Sequence, residues 1–190
     1  MPEGSSRRFP VAVDIRIASD GWRKAMPNVS ATLRRAVRAA LKDEIAPRET
    51  GVSILLTDDA EMRKLNAGWR DKDKPTNVLS FPAETAVDPR NPPDYLGDIA
   101  LGLATCRREA AEQGKSLADH VVHLTVHGVL HLIGYDHMSE EEANAMEPRE
   151  VEILATLGIA NPYVAVTRRA APKPVKKPKK AAAARPKRAA

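Results

Sequence analysis

The stretch that most constrains this chain is HVVHLTVHGVLHLI, residues 120–133. It carries four histidines and no Asp, Glu, Lys or Arg. Ser116 can cap it and Gly134 can stop it, so the pattern predicts a helix from Ser116 to about Ile133. A helix that is apolar all round is buried on most sides. Imidazoles on such a helix each need a compensating partner. Any fold for this chain must therefore bury the helix and still satisfy His120, His123, His127 and His131.

The surrounding pattern supplies the material. FPVAVDIRI at 9–17 alternates Phe9, Val11, Val13, Ile15 and Ile17, which predicts a half-buried strand. From Asn28 or Ser30 to about Ala46, the stripe Val29, Leu33, Val37, Leu41, Ile45 predicts an amphipathic helix. Gly51 opens a strand, VSILLT, and Asp58 caps a short helix through DDAEMRKLNAGW. NVLSF and LGDIALGL read as two more strands, separated by a Pro- and Asp-rich loop at 84–95. Helices follow at Thr105 to about Gln113, at 116–133, and from Ser139 to about Leu157. The last opens on a capping box and contains Pro148, which is expected to kink or interrupt it. Strands lie mainly early and helices late, so the class is α+β or mixed α/β in one domain.

Charge divides the chain. The segment from Thr167, TRRAAPKPVKKPKKAAAARPKRAA, has ten Lys or Arg and no acid. The chain total is 30 basic against 25 acidic residues, so residues 1–166 keep 20 basic residues and a net charge of −5. The basic character belongs to the tail, and it does not argue for nucleic-acid binding by the body. The tail cannot bury a core and is expected to be disordered, serving as a solubilising extension or a salt-sensitive hold on a polyanion. The domain division is thus 1–166 and 167–190. No apolar run approaches the ~18 residues of a membrane span, and MPEGSSRRFP has no signal-peptide core. The single Cys106 excludes an internal disulfide, so a cytoplasmic setting without a membrane partner is expected.

His127 and His131 lie one helical turn apart on one face and can reach one metal ion. Gly134 allows a reversal that can bring His137 to the same point. The spacing over 127–137 is that of the metzincin motif H-E-x-x-H-x-x-G-x-x-H. Three neutral imidazoles suit zinc and leave a fourth position for water, whose pKa zinc brings toward ~7. Three satisfied core histidines are the plainer alternative. One departure is informative: zinc proteases use a Glu directly after the first His, and here that residue is Gly128. This argues against peptide hydrolysis and for a reaction such as phosphodiester cleavage. Such a reaction needs positive charge aimed at phosphoryl oxygens. Arg70 is the candidate, with Lys72 and Lys74 as helpers, although WRDKDKP also reads as a solvated charged loop. His123, Asp136 and Asp98 are candidates for supporting the metal ligands or lining the cleft, each with a plain structural alternative. His120 reads as structural or exposed, and Cys106 as a small core residue despite Arg107 and Arg108 beside it.

HGVLHLIGYDH at 127–137 resembles the signature of the YbeY family of bacterial endoribonucleases of ribosomal RNA maturation. LNAGWRDKDKPTNVLSFP at 65–82, LGDI at 96–99, MEPREVEIL at 146–154 and NPY at 161–163 extend the resemblance over roughly residues 9–165, leaving out the tail. It implies a single compact α+β domain, with a small four-stranded sheet packed on helices and one buried helix that bears the metal. It implies zinc, one ion per chain, held by His127, His131 and His137, and a functional role for Arg70. The implied activity is metal-dependent cleavage of single-stranded RNA, maturing the 3′ end of small-subunit rRNA and serving ribosome quality control. The small ribosomal subunit is then a partner, and no DNA is expected. The competing readings are a zinc peptidase, opposed by Gly128, and a non-enzymatic ribosome-assembly factor with structural zinc, opposed by the three-ligand set. Because nothing in the tail can pack, deleting 167–190 is expected to leave the midpoint of a calorimetric melt unchanged within about 2 °C.

Overall fold

The computed structural model describes residues 11–83, 86–136 and 139–164; the expected tail lies outside these. The chain runs β1 (Val11–Ile17), α1 (Gly21–Ala25), α2 (Val29–Leu41), β2 (Thr50–Thr57), α3 (Asp59–Arg70), β3 (Val78–Pro82), β4 (Tyr95–Gly102), α4 (Leu103–Glu112), α5 (Leu117–Leu132) and α6 (Glu140–Thr156). The four strands form one sheet in the order β1-β2-β4-β3. β1 pairs with β2 and β2 with β4 in parallel, while β3 pairs antiparallel with β4 and forms an edge. The mixed α/β domain expected from the sequence is therefore the observed one.

The helix that the sequence required to be buried is central. α5 touches α2, α4 and α6 as well as β3 and β4. Val121, Val126, Val129, Leu130 and Leu132 are buried on it. Ser116 caps its start by accepting from Asp119 N–H at 3.0 Å. Gly134 ends it at φ +100°, a left-handed conformation that glycine adopts without strain. The other face of the sheet is covered in part by α3, through Met62 against Leu79 and Ala100.

Gly128 shows why α5 sits so close to the sheet. A Cβ built there would come 3.0 Å from Ser80 Oγ and 3.1 Å from Ile99 Cδ1. The Ser80 hydroxyl also donates to the Gly128 carbonyl at 3.2 Å. The absent side chain is what lets the helix backbone press against β3 and β4.

Element edges depart from expectation in instructive ways. α2 stops at Leu41, short of Ala46, although Ile45 still reaches the core. The short α1, which the sequence pattern did not suggest, buries Trp22, whose indole N–H donates to the Thr57 carbonyl at 2.8 Å. α6 runs on through Pro148, so of the two expectations, a kink or a break, the break does not occur. One lost backbone bond and a ring clash cost about 3 kcal/mol, while burying Met146, Ile153 and Leu154 stabilises by about 1.5–3 kcal/mol each. The capping box from Ser139 and Glu142 forms as expected. Cys106 is buried, and burial pushes its thiol up to about 12, so it serves as a core residue.

Gly128→Ala is expected to destabilise the fold by about 1–3 kcal/mol, because Ile99 is fully buried and cannot yield. A lower urea midpoint with an unchanged slope would register it.

Candidate active site

The site follows from the rotation of α5. Residues advance by about 100° around a helix. With Gly128 facing the sheet, His123, His127 and His131 all project to the same side of that contact. There, beside the edge strand β3, lies a cleft of ≈ 430 Å³. Arg70, Asn77, Ser80, His127, His131 and Asp136 are among its walls.

His127 Nε2 and His131 Nε2 lie 3.1 Å apart. The other nitrogen of His127, Nδ1, lies 2.6 Å from Glu150 Oε1. An ionised carboxylate only accepts, so Nδ1 carries the proton and the Nε2 lone pair points toward His131. Glu150 is completely buried. Its second oxygen lies 3.4 Å from His123 Nε2 and also accepts from the Tyr163 hydroxyl. Burial pushes the Glu150 carboxyl up, but the bonds to His123 and His127 outweigh it and hold it below the ordinary carboxylate range. A buried anion on α6 thus compensates two imidazoles of α5.

The pair fits zinc. Two ligands at about 2.0–2.1 Å from a tetrahedral ion stand about 3.3 Å apart, close to the observed nitrogen separation. A carboxylate on the far nitrogen is the usual device for orienting a metal-bound imidazole. Among the described residues, no three His, Cys, Asp or Glu side chains converge as a full metal site. The expected third ligand, His137, lies outside the described residues.

The other sequence candidates divide. Arg70 ends α3 and faces the cleft, as does Asp136. His123 lies a turn away on Glu150, edge-on to Tyr163 with ring centroids 5.9 Å apart. Asp98 is not brought to the site: it pairs with Phe81 across β4 and β3, is exposed, and accepts from the Tyr95 hydroxyl at 2.8 Å. It occupies the sheet face opposite α5, because Gly97 and Ile99 face the helix. Lys72 and Lys74 are exposed and do not line the cleft. His120 is structural: it is buried and lies 3.0 Å from Glu109 on α4. Burial lowers its pKa, which the Glu109 carboxylate opposes.

Sequence reasoning missed Glu150, yet a signal was there. In MEPREVEIL, Met146, Glu150, Ile153 and Leu154 fall on one helical stripe, so a carboxylate occupies a core position. It also missed the clamp on the turn after α5. There the Tyr135 hydroxyl donates to Glu44 at 2.8 Å, and Arg149 on α6 donates to the same carboxylate.

The family model "Endoribonuclease YbeY" matches residues 16–158. A protein of that name from Chelativorans sp. (strain BNC1) is 48% identical over 163 residues, covering 86% of this chain and 99% of the relative. Another, from Bradyrhizobium sp. (strain BTAi1 / ATCC BAA-1182), is 49% identical over 156 residues, covering 79% and 90%. In fold, the chain is similar to the solution structure of TM1509 from Thermotoga maritima, with a TM-score of 0.50 and 24% identity over 77% of this chain and 91% of that one. The chain belongs to the YbeY endoribonuclease family.

Glu150→Gln is expected to weaken zinc binding about 10–100-fold, read by competition with a chromophoric chelator. Unchanged affinity would limit Glu150 to packing.

Proposed function

We propose that this protein is a zinc-dependent endoribonuclease specific for single-stranded RNA. We place its action in maturation of the 3′ end of small-subunit rRNA and in ribosome quality control, on the small ribosomal subunit in the cytoplasm. The observation that carries the reading is the cleft that sets Arg70 together with His127, His131 and Asp136. Membership of the YbeY family supports RNA as the substrate.

His127, His131 and His137 would hold the zinc, which supplies Lewis acidity at the phosphoryl group. Arg70 offers a planar pair of donors to the phosphate oxygens and neutralises charge that builds there. Glu150 keeps the proton of His127 on Nδ1, so Nε2 stays a donor of electrons. Asp136 places a carboxylate on the cleft wall, where its oxygens can take the proton of an attacking hydroxyl.

The peptidase reading loses ground on a specific contact. The position where a zinc protease carries its Glu is Gly128, and its Cα is turned onto Ser80 and Ile99 rather than into the cleft. A carboxylate placed there would enter the helix–sheet contact unpaired.

Arg70→Ala is expected to lower cleavage of a fluorogenic single-stranded RNA about 100-fold or more, with zinc content and melting midpoint unchanged. Loss of zinc in step with activity would make Arg70 structural. Casein hydrolysis by the purified protein, abolished by His127→Ala, would overturn the nuclease reading.

A further inference from the structure

We infer that Trp69, braced by Phe81, is a stacking site for one nucleobase of a single-stranded RNA, next to the phosphate that Arg70 would hold. This deepens the RNA-cleaving reading and rests on it.

The helical period makes Trp69 anomalous. Met62, Asn66 and Trp69 lie on one stripe of α3, spaced as i, i+4 and i+7. Met62 and Asn66 are buried beneath the helix, at 0% and 2% exposure. Trp69 continues the same stripe yet is 60% exposed. The reason is that Phe81 belongs to β3, the edge of the sheet among the described residues. Among the described residues the indole meets one aromatic ring, Phe81, in a T-shaped contact at 5.0 Å and 74°. Such a contact steadies the ring but cannot cover both faces of an indole.

The helix end is held rather than loose. Arg63 donates two bonds of 2.5 Å to Asp73, and the Asn66 side-chain amide donates to the Lys74 carbonyl at 2.7 Å. Asp71 takes a left-handed φ of 54° and closes the helix end on the Ala67 carbonyl. These bonds tie the 71–74 segment back onto α3 and fix the helix end that carries Trp69.

Its position names the ligand. Arg70, the next residue, lines the cleft, and so do Ser80 and Pro82 on either side of Phe81. Side chains alternate along a strand, so Phe81 faces away from Ser80 and packs toward Met62, Leu79 and Ala100: the Trp69–Phe81 pair stands on the α3 side of the sheet edge, one residue from the Arg70 that reaches the cleft. Exposed Lys72 and Lys74 follow in the chain, alternating with Asp71 and Asp73. Aromatic stacking tolerates any base, since every base has a π-face, and it requires a base free of its own neighbours. A duplex cannot offer one. The subsite thus gives a physical basis for choosing single strands without a sequence code.

The full-length protein carries its own probe. Trp22 is fully buried and hydrogen-bonded, so Trp69 is the water-exposed fluorophore of the two. Titration with a non-cleavable 2′-O-methyl RNA 8-mer is expected to quench the red-shifted emission, and Trp69→Phe should abolish the change. Trp69→Ala is expected to raise KM for single-stranded RNA roughly tenfold with kcat little altered, and Trp69→Tyr to restore most of the loss. An abasic residue walked through the substrate should cost the unmodified protein the same factor at one position, where Trp69→Ala loses nothing more. RNA cleavage with no quenching and an unchanged KM in Trp69→Ala would overturn the subsite and leave the nuclease standing. Equal abasic losses in both proteins at every position would also overturn it. Absence of RNA binding and cleavage by the unmodified protein would remove both readings together.

Discussion

The seat of α5 on the sheet at Gly128 is the contact on which the rest of the structure depends. A helix packed on every side has no freedom to rotate. Once Gly128 faces Ser80 and Ile99, the positions of His123, His127 and His131 around the helix are settled. His127 and His131 emerge beside the edge strand β3, where a cleft opens, and His123 lies a turn away against Glu150. The same glycine that lets the backbone approach the sheet also removes the carboxylate that a zinc protease would carry at that position. One residue thus serves the packing and sets the limits of the chemistry.

Burying imidazoles is costly, and the molecule meets the cost with two carboxylates from neighbouring helices. Glu109 of α4 meets His120, and Glu150 of α6 meets both His123 and His127. Glu150 carries the larger share, since it is fully buried and joins three side chains of two segments. This explains why α6 tolerates Pro148. The helix is held by its capping box, by its apolar residues, and by Arg149 and Glu150 on either side of the cleft end of α5. Breaking it at Pro148 would release the anion that compensates the histidines.

The family relationship sharpens what the geometry alone leaves open. Histidine spacing by itself pointed equally to proteases, because two imidazoles one turn apart are a solution that any metal-binding helix can use. What separates the classes is the surrounding equipment: Gly128 turned inward, and an arginine from the end of α3 facing the same cleft. The helix end that delivers Arg70 to the cleft also carries Trp69 onto Phe81 at the sheet edge.

The sequence by itself determined the buried helix, its cap at Ser116, its stop at Gly134, the capping box at Ser139, and the four strands. These are local matters of period, caps and glycine conformation, and they reside in a few neighbouring residues. It also grouped Arg70 with His127, His131 and His137, through the motif blocks that the chain shares with its family; the structure brings the first three to one cleft, and His137 lies outside the described residues. Only the tertiary structure decided that Asp98 faces the far side of the sheet, that Pro148 leaves α6 unbroken, and that Glu150 orients His127. The physical reason is distance along the chain. Which face of β4 meets α5 depends on the register of three strands, and Glu150 reaches His127 across 23 residues. Such pairings depend on how whole elements pack, and no local pattern encodes them.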